Sequence, residues 1–304
     1  MRGLEVLKAG IFTTIQDRGR FGYMDSGITQ SGVMDEYSYN YLNKLLENKK
    51  DSNCLEIVFG NVEFKSSVKT FIATTGAKCE LSINGKKKQN WKVYKIQIGD
   101  IISIGKILQG QRLYFGVKDG FVLNKELKSD SSTIKYNIGH EKLKNSDLLV
   151  CKEFGNIPLK KLKAKYIPEY KDELDLRVVI GYQVDSFPIK EQEKFFNLPF
   201  KITPSFDRMG CKLSGEKIKS KHEGIISEAI SFGSIQIPKD GQAIILLKDR
   251  QTIGGYPKIG TVLPIDCYKL AQMKIGSTIR FKKIKLEDAI KKQIDFDKSF
   301  NKIR

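Results

Sequence analysis

Asp249-Arg250-Gln251-Thr252-Ile253-Gly254-Gly255-Tyr256-Pro257 places an acid, a base, an amide, a hydroxyl, two glycines and a phenol within nine positions. The stretch follows the apolar run Ala243-Ile244-Ile245-Leu246-Leu247, so a buried strand ends where a polar loop begins. Loops held by a rigid scaffold are frequent places for binding and catalysis. Two further loops combine acid, arginine and glycine: Gln16-Asp17-Arg18-Gly19-Arg20-Phe21-Gly22-Tyr23 and Asp207-Arg208-Met209-Gly210. A guanidinium pairs bidentately with planar carboxylates or phosphates. Arg18, Arg20, Arg208 and Arg250 are therefore candidates to hold an anionic substrate group. Gln16, Gln251, Thr252 and Tyr256 add side chains that can hydrogen-bond a substrate. Backbone N–H groups at Gly254 and Gly255 could face an oxyanion. Asp249 or Asp207 could act as a catalytic base if burial raised its pKa. The alternative for each residue is an Arg–Asp bridge that only holds its loop.

Composition narrows the chemistry. The chain has 304 residues and 40% hydrophobic residues, enough for two ordinary domains with proper cores. It holds no apolar run of roughly 18 residues, the length a membrane helix needs. Its first residues lack a signal-peptide pattern, which points to an intracellular, cytoplasmic address. The five cysteines are scattered, odd in number and without a CxxC pair, so neither a disulfide framework nor a zinc site is expected. Only His140 and His222 are available for His-based catalysis or metal binding, and neither has a recognisable catalytic context. The formal charge of +18 raises nucleic-acid binding as an idea. The lysines are dispersed and no nucleic-acid motif accompanies them, so they read as a solvated surface. There is no P-loop and no dinucleotide fingerprint.

The elements that would position these loops are mostly short strands. Met34-Asp35 opens a helix that Asp35 can cap, with Tyr37, Tyr41, Leu42, Leu45 and Leu46 on its inward face. Strands are expected at 55–60, 70–75, 79–83, 93–98, 101–104 and 112–117, with a hairpin at Asn84-Gly85. Further strands are expected at 176–181 and 200–203, with a helix from Ile189 to Asn197 after Pro188 and one from Cys267 capped by Asp266. Leu286, Ile290 and Ile294 repeat every four residues and predict a terminal helix. The pattern divides the chain into a β domain over 1–150 with one early helix, a linker over 151–175, a β domain over 176–285 and a helical tail over 286–304. The fold class is mainly β with a few short helices. The echo between Ile96–Ile104 and Met273–Phe281, each strand, glycine turn, strand, favours two related β domains.

Assembled, the loops resemble a known family. Thr13-Thr14-Ile15-Gln16-Asp17-Arg18-Gly19-Arg20 with Ser31-Gly32-Val33-Met34-Asp35, Asp207-Arg208-Met209-Gly210, Ser227-Glu228, Gly233-Ser234-Ile235-Gln236-Ile237-Pro238 and the 249–257 stretch are similar to signatures of the KipA-like group. That group includes the C-type subunit of bacterial ATP-dependent 5-oxoprolinase and half of the urea carboxylase carboxyltransferase domain, also called allophanate hydrolase subunit 2. The resemblance implies two cyclophilin-like β-barrel domains. It implies two partners, a KipI-like B-type subunit of the 5-oxoprolinase with its A-type counterpart. It also implies a small-molecule substrate, 5-oxo-L-proline, opened to L-glutamate with ATP used by the complex. Two alternatives come with it: carboxyl transfer from carboxybiotin to urea or a related amide, and a KipA-type regulator that binds a KipI-like kinase inhibitor. The chain departs from the usual pattern at Lys118-Asp119-Gly120, at Lys128–Thr133 and at Gly139-His140. The three polar loops are expected to form walls of one pocket, completed by a partner protein.

Overall fold

Burial at every second position along Gly60–Ser66 is the signature of a strand with one face in a core. The computed structural model, which describes residues 2–302, is built mostly from such strands. The chain forms two units: Met1–Arg20 with Ser31–Tyr170, and Phe21–Gln30 with Lys171–Arg304.

The first unit is a nine-stranded curled sheet. Its main path runs Phe12–Gln16, Cys54–Val58, Ile101–Val117, Gly60–Ser66, Gly3–Lys8, Leu148–Val150. The long strand Thr70–Ile83 also pairs with Ile101–Val117 and turns at Asn84-Gly85 onto Lys86–Lys88. Both turn residues have positive φ, 51° and 73°, as a two-residue Asn-Gly hairpin demands. The sequence pattern breaks each long strand in two. In the structure each runs through, because bulges between Gly76 and Leu81 absorb the irregular residues and bend the sheet. The core of this unit buries Leu4, Val6, Ile57 and Leu113, with the rings of Phe64 and Phe115 stacked at 5.0 Å.

Helix α1, Glu36–Leu45, covers Thr70–Ile83 and Ile101–Val117. Asp35 caps it, accepting from Ser38 N at 3.1 Å. Leu42 and Leu46 come so close to the sheet that a Cβ on Gly116 would lie 3.0 Å from Leu42 Cδ2 and 3.2 Å from Leu46 Cδ1.

The second unit is a closed barrel in the order Glu173–Ile180, Lys258–Val262, Ser234–Gln236, Ile244–Leu246, Gly210–Ser214, Phe200–Phe206, Thr278–Lys283. Parallel pairing of the first and last of these closes the ring. Closure leaves no unpaired sheet edge. Helix α2, Ile189–Asn197, falls where Pro188 and the apolar pattern place it, and Phe195 stacks on Phe281 with ring centroids 4.2 Å apart. Helix α3, Pro264–Leu270, begins three residues before the expected start. Proline at the first helical position needs no N–H partner. Asp266, expected as the cap, instead accepts both Arg177 Nε at 2.8 Å and Arg177 Nη2 at 2.6 Å. Helix α4 spans Leu286–Lys302, and its four-residue repeat faces solvent: Leu286, Ile290 and Ile294 are exposed. The inward contact is made by Ala289 and Phe296, the latter 5.7 Å from the Tyr268 ring. Among the described residues no helix is long and apolar enough to cross a membrane.

Candidate functional site

The first polar loop divides between the units. Strand Phe12–Gln16 carries Gln16 into the first unit, where it and Asp17 and Arg20 are buried. Gln16 Nε2 donates to Ser132 O at 3.0 Å and Thr14 Oγ1 at 3.1 Å. The Asp17 carboxylate accepts four hydrogen bonds: Gly19 N at 2.7 Å, Ser129 Oγ at 2.7 Å, Ser131 Oγ at 2.6 Å and Asp130 N at 2.7 Å. Arg20 donates to Thr133 Oγ1 at 3.0 Å and to Ser131 O. These side chains organise the 129–133 segment. Arg18 is exposed.

The remainder of that loop, Phe21–Gln30, folds in the second unit. Thr29 Oγ1 donates to Lys248 O at 3.1 Å, and Met24 Sδ lies 3.6 Å from Arg250 Nη2.

The other two loops meet through one pair. Arg208 and Asp249 are buried and bonded bidentately, Nε to Oδ2 at 2.8 Å and Nη2 to Oδ1 at 2.9 Å. Two parallel N–H···O bonds fix both loops in register. Arg250 is also buried. Its Nε donates to Ile230 O at 3.1 Å and its Nη1 to Leu247 O at 3.2 Å. Burial lowers its pKa to about 10. Asp207 is exposed and accepts from Met209 N at 2.7 Å and Gly210 N at 3.1 Å, so it ties its own turn. Gln251 is half-buried, Thr252 buried and Tyr256 exposed.

Gly254 explains its own identity. It pairs with Glu228 in the short ladder Glu228–Ala229 with Ile253–Gly254. A Cβ there would lie 2.5 Å from Ile230 Cδ1 and 2.7 Å from Gln236 Nε2. This ladder brings Glu228 to the mouth of a cavity of about 450 Å³ in the second unit. Tyr182, Gln183, Glu228 and Lys258 converge there. Glu228 forms an ion pair with Lys258 Nζ, and accepts from Tyr182 Oη and from Gln183 Nε2, the last at 2.7 Å. Gln183 Oε1 in turn accepts from Lys258 N at 2.8 Å. The hydrogen bond from Lys258 holds the Glu228 carboxyl below the usual carboxylate range, and Glu228 in turn raises the Tyr182 phenol.

Only 9% of Lys258 is exposed. Its register partner Gln236 is 1% exposed, and Gln236 Nε2 has no hydrogen-bond partner among the described residues. A buried donor left unbonded is costly and is expected where a ligand completes it. A small cavity lined by an ion pair and a phenol can hold a molecule that bears both anionic and amide-like groups.

None of these residues except Glu228 and Gln236 lies in a stretch whose pattern marks it. Ser227-Glu228 and Gly233–Pro238 are motifs without an evident role in the sequence, and Lys258 follows the 249–257 loop directly. Tyr182 and Gln183 carry no sequence signal; the turn after Glu173–Ile180 places them.

Comparison with known proteins agrees with this architecture. The family described as carboxyltransferase domain, subdomain A and B, matches residues 26–283. A Haemophilus influenzae protein, named as the C-type subunit of 5-oxoprolinase, is 31% identical over 299 residues, covering 95% of this chain and 93% of that one. An Escherichia coli protein of the same name is 29% identical over 305 residues, covering 99% and 97%. The crystal structure of the K. lactis urea amidolyase superposes with a TM-score of 0.90 at 26% identity, covering 99% of this chain but 20% of that much longer one. The match over most of its length, with full-length similarity to two 5-oxoprolinase components, places this chain in the carboxyltransferase subdomain A and B family.

Proposed function

We propose that the chain works as the C-type subunit of a multi-subunit 5-oxoprolinase, with the Glu228–Lys258 cavity as its contribution to the substrate site. The full-length similarity to two proteins named as that component carries the reading. The reaction breaks the lactam C–N bond of 5-oxo-L-proline. A water oxygen goes to the carbonyl carbon, the protons go to nitrogen and the carboxyl group, and the product is L-glutamate.

The side chains around the cavity match that molecule group by group. The Lys258 ammonium has three donors, one turned to Glu228, and the others serve the substrate carboxylate. Glu228 accepts the lactam N–H. Gln236 is the register partner of Lys258 rather than a lining residue, and its Nε2, without a partner among the described residues, is assigned to the lactam carbonyl. An amide is a poor electrophile, so drawing charge onto its oxygen is what the reaction needs.

ATP does not fit this cavity. Its one lining cation, Lys258, is assigned to the substrate carboxylate, and the sequence has no P-loop to cradle a triphosphate. In this reading the partners, a KipI-like B-type subunit with its A-type counterpart, use the ATP, and the activity belongs to the assembly. The test is to co-express the chain with the neighbouring reading frames and measure ATP-dependent glutamate release from 5-oxoproline. Release that disappears when this chain is omitted is the expected result; release that persists without it overturns the proposal.

A second reading rests on the 0.90 TM-score to the urea amidolyase structure: carboxyl transfer to an amide, with biotin brought by another protein. It predicts biotin-dependent bicarbonate incorporation into urea, and no glutamate from 5-oxoproline.

A further inference from the structure

A second hollow lies in the first unit and shares no lining residue with the Glu228–Lys258 cavity. It is a cleft of about 770 Å³ between the bulged part of Thr70–Ile83 and the 161–170 segment. Four lysines line it, Lys78, Lys88, Lys161 and Lys163, and no Asp or Glu does. Among the described residues none of the four pairs with a carboxylate. Four ammonium groups around one concave surface raise the local concentration of anions.

The floor is apolar: Trp91, Leu162, Ile167 and Pro168. Two of its three side-chain amides are used by the fold: Asn90 Nδ2 donates to Ala77 O at 3.1 Å and Gln109 Nε2 to Tyr170 O at 2.8 Å. A small-molecule pocket normally offers a few convergent polar groups that fix orientation. Here the lysines form a flexible cationic rim over a largely apolar floor, with the Gln89 amide and the Tyr170 phenol as the further polar groups of the lining. That combination suits a chain that supplies carboxylates along its length and apolar side chains between them.

We infer that this cleft docks an acidic polypeptide segment of a partner protein, with carboxylates on Lys78, Lys88, Lys161 and Lys163 and an apolar side chain over Trp91. In the urea amidolyase structure the matched region is 20% of a much longer polypeptide.

The chain contains a single tryptophan, Trp91, and it lies in the cleft, so its fluorescence reports occupancy. The experiment titrates the full chain with a short synthetic peptide alternating Glu and Leu, and separately with ATP and inorganic phosphate. The expected result is a saturable change in Trp91 emission with the peptide, weakened by salt. In the Lys78→Gln, Lys88→Gln, Lys161→Gln, Lys163→Gln variant the affinity should fall roughly tenfold or more, given four exposed pairs. Neutralising Lys282, Lys285, Lys291 and Lys292 in the second unit should leave it unchanged. No saturable change, an equal change in the cleft variant, or saturation by ATP or phosphate without response to the peptide overturns the inference. Circular dichroism of each variant separates lost binding from lost fold.

Discussion

At the scale of single residues, the arginines and acids that look most catalytic in the sequence are mostly spent inside the fold. Arg208 and Asp249 satisfy one another in a buried bidentate pair, and Arg250 bonds two backbone carbonyls. Removing one partner of such a pair strands a buried charge. Arg208→Ala or Asp249→Ala should each destabilise the chain by about 3–5 kcal/mol in denaturant unfolding. The double change Arg208→Met with Asp249→Leu should be closer to wild type than either single change, because no unpaired charge remains. If the singles leave stability intact and abolish activity alone, the pair is a substrate site and this assignment is wrong. Glu228, Lys258 and Gln236 show the opposite pattern: an ion pair at a cavity mouth and a buried amide donor with no partner among the described residues.

At the scale of elements, the fold's tight places are glycines at fixed backbone angles. Gly60 begins Gly60–Ser66 with φ at 71°, and a Cβ there would lie 2.0 Å from Gly105 O. Both backbone strain and overlap with main-chain atoms oppose any side chain. Gly60→Ala should lower stability by about 2–4 kcal/mol. Gly22→Ala, also at positive φ but with open space around its Cβ, should lose about 1 kcal/mol. Chemical denaturation of the two variants compares packing with strain directly.

Elements with one strong local cause were legible from sequence. Asn84-Gly85 makes its hairpin, Asp35 caps α1, and Pro188 opens α2. What was not legible depends on distant partners. Strands 70–83 and 101–117 stay continuous because each pairs with the other across bulges that no local pattern reveals. Asp266 leaves its capping role because Arg177, far away in sequence, offers a bidentate partner. The exposed repeat on α4 is real periodicity, but Tyr268 decides which face turns inward. The same holds for the site: its motifs were visible, while Tyr182, Gln183 and Lys258 converge only once the barrel closes.

At the scale of the whole molecule, all five cysteines are buried thiols. Burial raises Cys79 and Cys151 to about 11 and pushes Cys54 and Cys267 up as well. An unfolded thiol titrates near ~8.5. Because the folded pKa lies above the unfolded one, this contribution to stability is full below about pH 8.5 and is lost as pH rises toward 11. Thermal unfolding midpoints should therefore fall between about pH 8.5 and 10. A flat profile over that window would contradict thiol burial as a stabilising feature.

The proposed activity turns on the cavity where Glu228 and Lys258 meet. Lys258→Met keeps the length and apolar stem of the side chain and removes only its charge. The decisive measurement is ATP-dependent glutamate release from 5-oxoproline by the assembled complex carrying this variant. The expected result is a loss of roughly ten- to a hundredfold, the worth of one charge-assisted hydrogen bond, with the complex still assembled and the chain still folded at the assay temperature. Wild-type turnover by that complex would contradict a role for Lys258 in holding the substrate.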